Sequence, residues 1–503
     1  MNKRDPIKVY DARWEVSEFS KIEVDRLLES VIIYGRALGI DTITIAKDAR
    51  LAGSSIMEQA SEIAISSGFN VYLCTDPIST TQSYFMAFSV SVKHPKTMGI
   101  TITASHNPAS YIGLKITVPA TQAIGLNCGP LGGFSKIREI YHSNDSISTL
   151  AGGTLHLVNY SKAYIEYSMK TAGVTENMLK GMKVILDSFH GAAGSEIFRA
   201  LKLAGVTIVP LRLFPDGNFP TGAPNPISKG KMANAVALAQ EEKDTIVIGT
   251  DGDGDRVVFG DKRGILNAGY ASIPILNQLR TSMQETQAGN SQLLYTVFDP
   301  KVNPMALNEW KKNGITPRLY RNGHSQIKEY MREIDAVAAV EESGHYYHKL
   351  RLENNTMYGE NSLVTILLFL KSISVDPEIM DTLWKLQGQI FTTGEMNYSF
   401  ANDEIRDKAM EEVIAYFTDK KAVIRSESFD GVDLQGTIAS SGVDLKTGAI
   451  DTADGWYSGY FRVSTTEEKI FRSFLSSGNA DLGKSLACEI IEICQKYAGR
   501  EVE

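Results

Sequence analysis

The chain has 503 residues, 43% of them hydrophobic and 22% charged, with a formal net charge of -8. Such a composition is that of an ordinary globular protein too long for one core, and it predicts about three or four domains. The mild acidic balance, with no basic stripe or polybasic tail, argues against nucleic acid; residues 1–13 are charged throughout, unlike a signal peptide, and no window approaches the ~18 apolar residues of a membrane span, so a cytosolic location is expected.

Along the chain, strand-like and helix-like runs alternate, which predicts βαβ units on mixed or parallel sheets. Residues 41–46 and 70–74 read as strands, with a helical pattern over 54–67 between them. A β-rich run then ends in Thr103 Ala104 Ser105 His106 Asn107 Pro108, where the proline halts the strand and presents Ser105 on a tight loop. This is not the Gly-x-Ser-x-Gly elbow of an acyl-transfer hydrolase. His106 reads as a turn hydrogen-bonder rather than a base. Turn residues at 151–153 suggest a boundary, followed by a strand over 182–187, a Gly-rich turn over 190–194 and a helix through Ala204.

The apolar run 245–248 reads as a buried strand that delivers Gly249 Thr250 Asp251 Gly252 Asp253 Gly254 Asp255 Arg256 at its carboxyl end. Three carboxylates on alternate residues are hard oxygen ligands suited to Mg²⁺ or Ca²⁺, and they would repel one another strongly without a cation. The EF-hand pattern fails twice, because Arg256 stands where that loop needs glycine and Lys262 where it needs glutamate. A solvated Asp/Gly turn is the plain alternative. Beside such a metal loop the Ser105 hydroxyl fits phosphoryl transfer, where a cation and nearby Lys or Arg neutralise the transferring group.

Residues 260–264 form another turn cluster, a third unit begins with a strand over 293–298 and a helix over 304–313, and helical material at 377–388 bridges to a last domain. Residues 478–485 satisfy the Walker A pattern. A P-loop enzyme needs further parallel strands and a second carboxylate motif downstream, and eighteen residues remain after Ser485, so a solvated turn and a final helix over 486–497 are expected instead. Cys74, Cys128, Cys488 and Cys494 are scattered without a CxxC pair and read as reduced thiols.

With these loops in order, the chain resembles the α-D-phosphohexomutases, the family of phosphoglucomutases, phosphomannomutases and phosphoglucosamine mutases. Residues 103–108 resemble its phosphoserine loop and 251–256 its magnesium loop. Val340 Glu341 Glu342 Ser343 Gly344 His345 resembles its sugar-recognition loop, and Arg462 Val463 Ser464 Thr465 Thr466 Glu467 its phosphate-binding loop. Smaller matches lie at 9–13, 47–50, Lys115, 299–301 and 322–325, so the agreement spans nearly the whole chain.

The resemblance implies an α/β fold of three similar domains with mixed sheets, plus a C-terminal α+β domain, around a central cleft. The domains would be 1–152 with the phosphoserine loop, 160–262 with the metal loop, 263–376 with the sugar loop and 388–503 with the phosphate clamp. It implies a mutase that interconverts hexose 1-phosphate and hexose 6-phosphate of glucose or mannose through phosphoserine and a hexose 1,6-bisphosphate. Ser105, Lys115, Arg256 and His345 would be catalytic. Tyr10, Arg13, Lys301, His324, Glu341, Ser343, Arg462, Ser464, Thr465 and Thr466 would bind substrate. Asp251, Asp253, Asp255 and a phosphate oxygen on Ser105 would hold Mg²⁺, with the bisphosphate as activator. Lys115 could act as a base if nearby Arg and Mg²⁺ lower its pKa, with His345 or His324 relaying a proton. Hexose phosphates would be the partners of a monomer or dimer, with no nucleic acid and no membrane.

Several positions depart from the family pattern. Trp14 and Val340 replace glycines, Thr465 replaces Asn or Gly, and Glu468 replaces proline beside the phosphate clamp. Glu468 is expected to pair with Lys469 or Arg472 rather than face the ligand. Glu342 with His345 mixes glucose-type and mannose-type sugar loops. A phosphoglucosamine mutase and a non-catalytic sugar-phosphate sensor are the alternative readings.

Overall fold

A computed structural model describes residues 5–143, 145–147, 149–242, 244–286, 294–450, 455–464 and 467–502. The chain divides into two units, the first comprising Met1–Ile265, His324–Glu333 and His345–Ser374, the second Leu266–Gly323, Ile334–Gly344 and Val375–Glu503.

The first unit is built on two mixed sheets. In one, the wholly buried strand Thr42–Lys47 lies parallel to Asn70–Pro77 on one side and to Thr97–Ile102 on the other. Its apolar and β-branched run suits a strand covered on both faces. Tyr111–Val118 returns antiparallel to Thr97–Ile102, so the serine loop is a hairpin connection and Lys115 stands opposite Thr101. The helix Lys21–Ala37, opened by a capping box of Ser20 and Glu23, packs its Val24, Leu28 and Val31 into this core. The other sheet sets Thr207–Leu211, Lys183–Asp187 and Thr245–Thr250 in parallel, then turns back through antiparallel Val257–Asp261. Residues 251–256 are therefore also a hairpin turn. Both chemistry-bearing loops thus lie at the carboxyl ends of parallel strands, where α/β sheets place ligands.

Later segments complete this unit. The hairpin Tyr346–Leu352 and Asn355–Glu360 contributes Leu350 and Met357 to a buried cluster with Tyr84 and Phe88. Phe369, from the helix Ser362–Val375, stacks on Phe259 with ring centroids 4.0 Å apart.

The second unit contains three parallel strands, Ile315–Leu319, Leu294–Phe298 and Ala338–Val340, with the helices Ala268–Thr286 and Pro304–Lys312. It also holds a six-stranded antiparallel sheet in the order Val423–Glu427, Asp433–Ser441, Tyr457–Val463, Ile470–Ser477, Phe391–Ser399, Arg500–Val502. Helices Asp403–Asp419 and Ala480–Lys496 cover it through Val413, Phe417, Leu486 and Ile490.

The Walker-like stretch resolves differently from the solvated turn expected. Asn479 caps the last helix by accepting from the Leu482 amide, so the helix starts at Ala480, six residues before the expected start. Gly483 is buried, and a Cβ there would meet the Phe391 ring. Residues 480–485 of the motif thus lie in a packed helix, with no loop left to cradle a phosphate.

Candidate active site

Ser105 is buried, with φ +53, a left-handed conformation that costs a non-glycine residue on the order of 1 kcal/mol or more. Neighbours hold it there. Its amide donates to Thr103 Oγ1 at 2.9 Å. The buried Arg50 guanidinium donates to the carbonyls of Ser105, Asn107, Pro108 and Tyr111 at 2.6–3.0 Å, satisfying four loop acceptors from one planar fork. Asp48 anchors that arginine at 3.1 Å and accepts the Thr103 hydroxyl at 2.7 Å. The serine hydroxyl donates to Asp251 Oδ2 at 3.3 Å and lies 3.1 Å from His106 Nδ1. His106 thus makes a hydrogen bond within the turn, and its partner is the serine side chain itself.

Asp251, Asp253 and Asp255 are all buried, with one ligand atom of each within 4.8 Å of the others. Burial, then repulsion by Asp253 and Asp255, pushes the Asp251 carboxyl well above the usual carboxylate range. Oδ1 of Asp253 and of Asp255 has no hydrogen-bond partner. Buried carboxylates with orphaned oxygens and mutual repulsion fit a hard divalent cation, so the triad could hold a metal ion. Gly254 shapes the turn with φ +70, and a Cβ there would collide with Ala193. Thr80, in the first turn of the helix Thr80–Ser91, donates its amide to the Asp253 carbonyl at 2.8 Å and its hydroxyl to Oδ2 at 2.6 Å.

Lys115 Nζ reaches Asp253 Oδ2 at 2.7 Å and Asp255 Oδ2 at 2.5 Å. The sequence reading had neighbouring cations lowering its pKa. Burial does act downward, but the two aspartates outweigh it and hold the ammonium well above its ordinary range. Arg256 donates its amide to Asp251 Oδ1 at 3.2 Å and its Nε to His345 Nε2 at 3.2 Å. His345 Nδ1 is 3.7 Å from Asp255 and 3.6 Å from Glu360. Glu360 pairs with Lys328 at 2.6 Å; burial alone would raise its pKa, yet Lys328 and His345 pull it down to about 2. His324 lies 3.4 Å from Lys328 and edge-on to Tyr10, and burial followed by Lys328 holds it well below the usual histidine range. Arg13 is held by Asp11 at 2.7 Å and donates to Asn107 at 2.9 Å. Among the expected residues, the first unit therefore gathers Ser105, Lys115, the triad, Arg256, His345, His324, Tyr10 and Arg13.

In the second unit, Glu341 accepts the Gly323 amide at 3.1 Å, and Ser343 is half-buried in the same loop. Glu342 accepts from the amides of Ala268 and Gly269 at the start of the Ala268–Thr286 helix, serving as its cap. Lys301 is buried against Glu395 at 2.9 Å. Arg462 is half-buried, and Ser464 Oγ accepts from the Glu467 amide at 3.2 Å. Thr465 and Thr466 lie outside the described residues. Glu468 is exposed, and Arg472 pairs one residue earlier, with Glu467, because the turn ahead of Ile470 brings Glu467 back over that strand.

Family models for the α/β/α domains I, II and III of phosphoglucomutase/phosphomannomutase match residues 5–126, 162–264 and 275–387. A phosphomannomutase of Vibrio cholerae is 26% identical over 441 residues, 85% of this chain and 89% of that protein. Among solved structures, a phosphoglucomutase/phosphomannomutase family protein of Burkholderia thailandensis superposes with a TM-score of 0.75 at 20% identity, covering 98% of this chain and 97% of that one. Parafusin, a phosphoglucomutase of Paramecium, gives 0.76 at 17% identity over 100% and 97%. Three consecutive domain matches and a full-length relative agree: the chain belongs to the phosphoglucomutase/phosphomannomutase family.

Proposed function

We infer that this chain is a phosphohexomutase, interconverting the 1-phosphate and 6-phosphate of glucose, mannose or both. The observation that carries the reading is the Ser105 hydroxyl, 3.3 Å from one of three buried carboxylates and in the same unit as Lys115 and Arg256. Asp251, Asp253 and Asp255, with a phosphate oxygen on Ser105, would hold Mg²⁺, which when bound neutralises charge on the transferring phosphoryl group. Phosphoserine 105 loses its phosphoryl group as the Oγ–P bond breaks and a bond forms to a sugar hydroxyl, giving a hexose 1,6-bisphosphate. The bisphosphate turns over and returns the other phosphate to Ser105. Trace bisphosphate is therefore the activator.

The residues divide the work by charge. Lys115 and Arg256 counter charge on the phosphoryl oxygens. His345 accepts from Arg256 through Nε2 and faces Asp255 and Glu360 through Nδ1, so it sets the position of that guanidinium. Lys301, Arg462 and Ser464, with Thr465 and Thr466, take the non-reacting phosphate, and Glu341 and Ser343 take sugar hydroxyls.

The test is incubation with Mg²⁺, trace glucose 1,6-bisphosphate and, separately, the 1-phosphates of glucose, mannose, glucosamine and N-acetylglucosamine. Turnover of glucose or mannose 1-phosphate is expected, together with one phosphoryl group on Ser105 by mass spectrometry and none in an inactive Ser105→Ala. Turnover confined to an amino sugar would move the assignment to a phosphoglucosamine mutase. Full activity in Ser105→Ala would overturn the mechanism.

A further inference from the structure

The antiparallel sheet of the second unit sets two arginines directly opposite each other, Arg462 on Tyr457–Val463 and Arg472 on Ile470–Ser477. Like charges in register destabilise a sheet unless an anion joins them. The neighbouring strand supplies one. Phe391–Ser399 shifts register between Thr392 and Glu395, with Gly394 at φ +67, and such a bulge re-aims the side chain that follows. Glu395 accordingly reaches two cations through separate oxygens, Oε2 to Lys301 Nζ at 2.9 Å and Oε1 to Arg472 Nη1 at 2.8 Å. Arg472 makes a further pair with Glu467, at the end of the phosphate-binding loop. Burial would raise the Glu395 pKa, but Lys301, Arg462 and Arg472 reverse it and keep the carboxylate ionised.

We propose that Glu395 is the positioning residue of the phosphate clamp, fixing Lys301 and Arg472 beside Arg462 to receive a phosphate dianion. The proposal rests on the mutase reading for the role of that clamp. An ammonium carries three donors and a guanidinium five, so one bond from each to Glu395 leaves donors for a ligand. The carboxylate orders two long, mutually repelling side chains before substrate arrives, a cost that binding would otherwise bear. A resident anion that merely competed with phosphate would have the opposite effect on affinity, and this separates the two roles.

Glu395→Gln keeps the shape and removes the charge. It should raise KM for glucose 1-phosphate on the order of tenfold, the scale of a lost charge-assisted contact, while kcat changes by less than about twofold. Inorganic phosphate, titrated calorimetrically into the full-length protein without Mg²⁺, should weaken by a similar factor. Glu395→Asp keeps the charge at shorter reach and should fall between the two; it also serves as the test if the Gln variant does not fold. Phosphate binding in the Gln variant as tight as wild type or tighter, or a fall in kcat at constant KM, would overturn the proposal. Absence of turnover in the wild type would instead remove the mutase reading, and the phosphate titration would still decide the role of Glu395.

Discussion

Asp253 is the most heavily committed residue of the triad, with its backbone carbonyl and one carboxylate oxygen on Thr80, the same oxygen on Lys115, and the other oxygen unpaired. Asp253→Asn should keep the Thr80 contact and lose the charge that a divalent cation requires. We expect kcat to fall by about 10²–10³-fold and the Mg²⁺ requirement to rise, with KM for the hexose phosphate little changed, because such charge acts on the transition state. Steady-state kinetics across a Mg²⁺ titration checks this; loss of affinity at constant kcat would assign the loop a different task. Ser105 and the triad were legible in the sequence because each is a local pattern, a serine at a strand end and aspartates two residues apart. Thr80 was not, since it meets Asp253 across 173 residues, and nothing near it differs from an ordinary helix start. Glu360 and Glu395 escaped notice for the same reason, and Glu395 acquires its direction only through a bulge.

At the scale of elements, the helix Thr80–Ser91 links the triad's loop to a buried acid. Ser79 caps this helix by accepting from the Gln82 amide and donates its own hydroxyl to Glu196 at 2.5 Å. Burial raises Glu196 from 4.5 to about 8. The folded state therefore keeps this proton where the unfolded state has released it, so the group's contribution to stability is complete below pH 4.5 and fades as pH rises towards 8. Glu196→Gln should match wild type near the acid end of that window and be more stable above it, by on the order of a few kcal/mol at most. Thermal melts across the range decide the point, and parallel profiles for the two proteins would refute it. The metal turn has its own constraint at Gly254. Gly254→Ala, with a strained φ and a clash against Ala193, should cost roughly 1–3 kcal/mol and abolish the stabilisation by Mg²⁺ that is expected for the wild type in a thermal melt. The strand–helix alternation behind these elements was readable from periodicity. Mixed sheets were expected, but the sequence did not show that Tyr111–Val118 and Val257–Asp261 are the antiparallel returns, because a parallel or antiparallel partner leaves the same apolar pattern in a buried strand.

For the whole molecule, the division into units does not follow the order of the chain. The first unit is finished by residues 324–333 and 345–374, and the chain passes between the units five times. A fragment ending at Ile265 would lack Leu350 and Met357 from the cluster around Tyr84 and Phe88, Phe369 from its stack on Phe259, and His345 and Glu360 from the site. We expect fragment 1–265 to expose apolar surface, bind a hydrophobic dye and melt without a cooperative transition, whereas the full chain melts cooperatively. A sharp melt for the fragment would show that the early sheets suffice by themselves. The same interleaving governs how the protein is made. A ribosome adding ~5–20 residues per second needs on the order of ten seconds to a minute between Ser105 and Glu360, and through that interval the nascent first unit presents the faces of Phe88 and Phe259 to solvent and to chaperones.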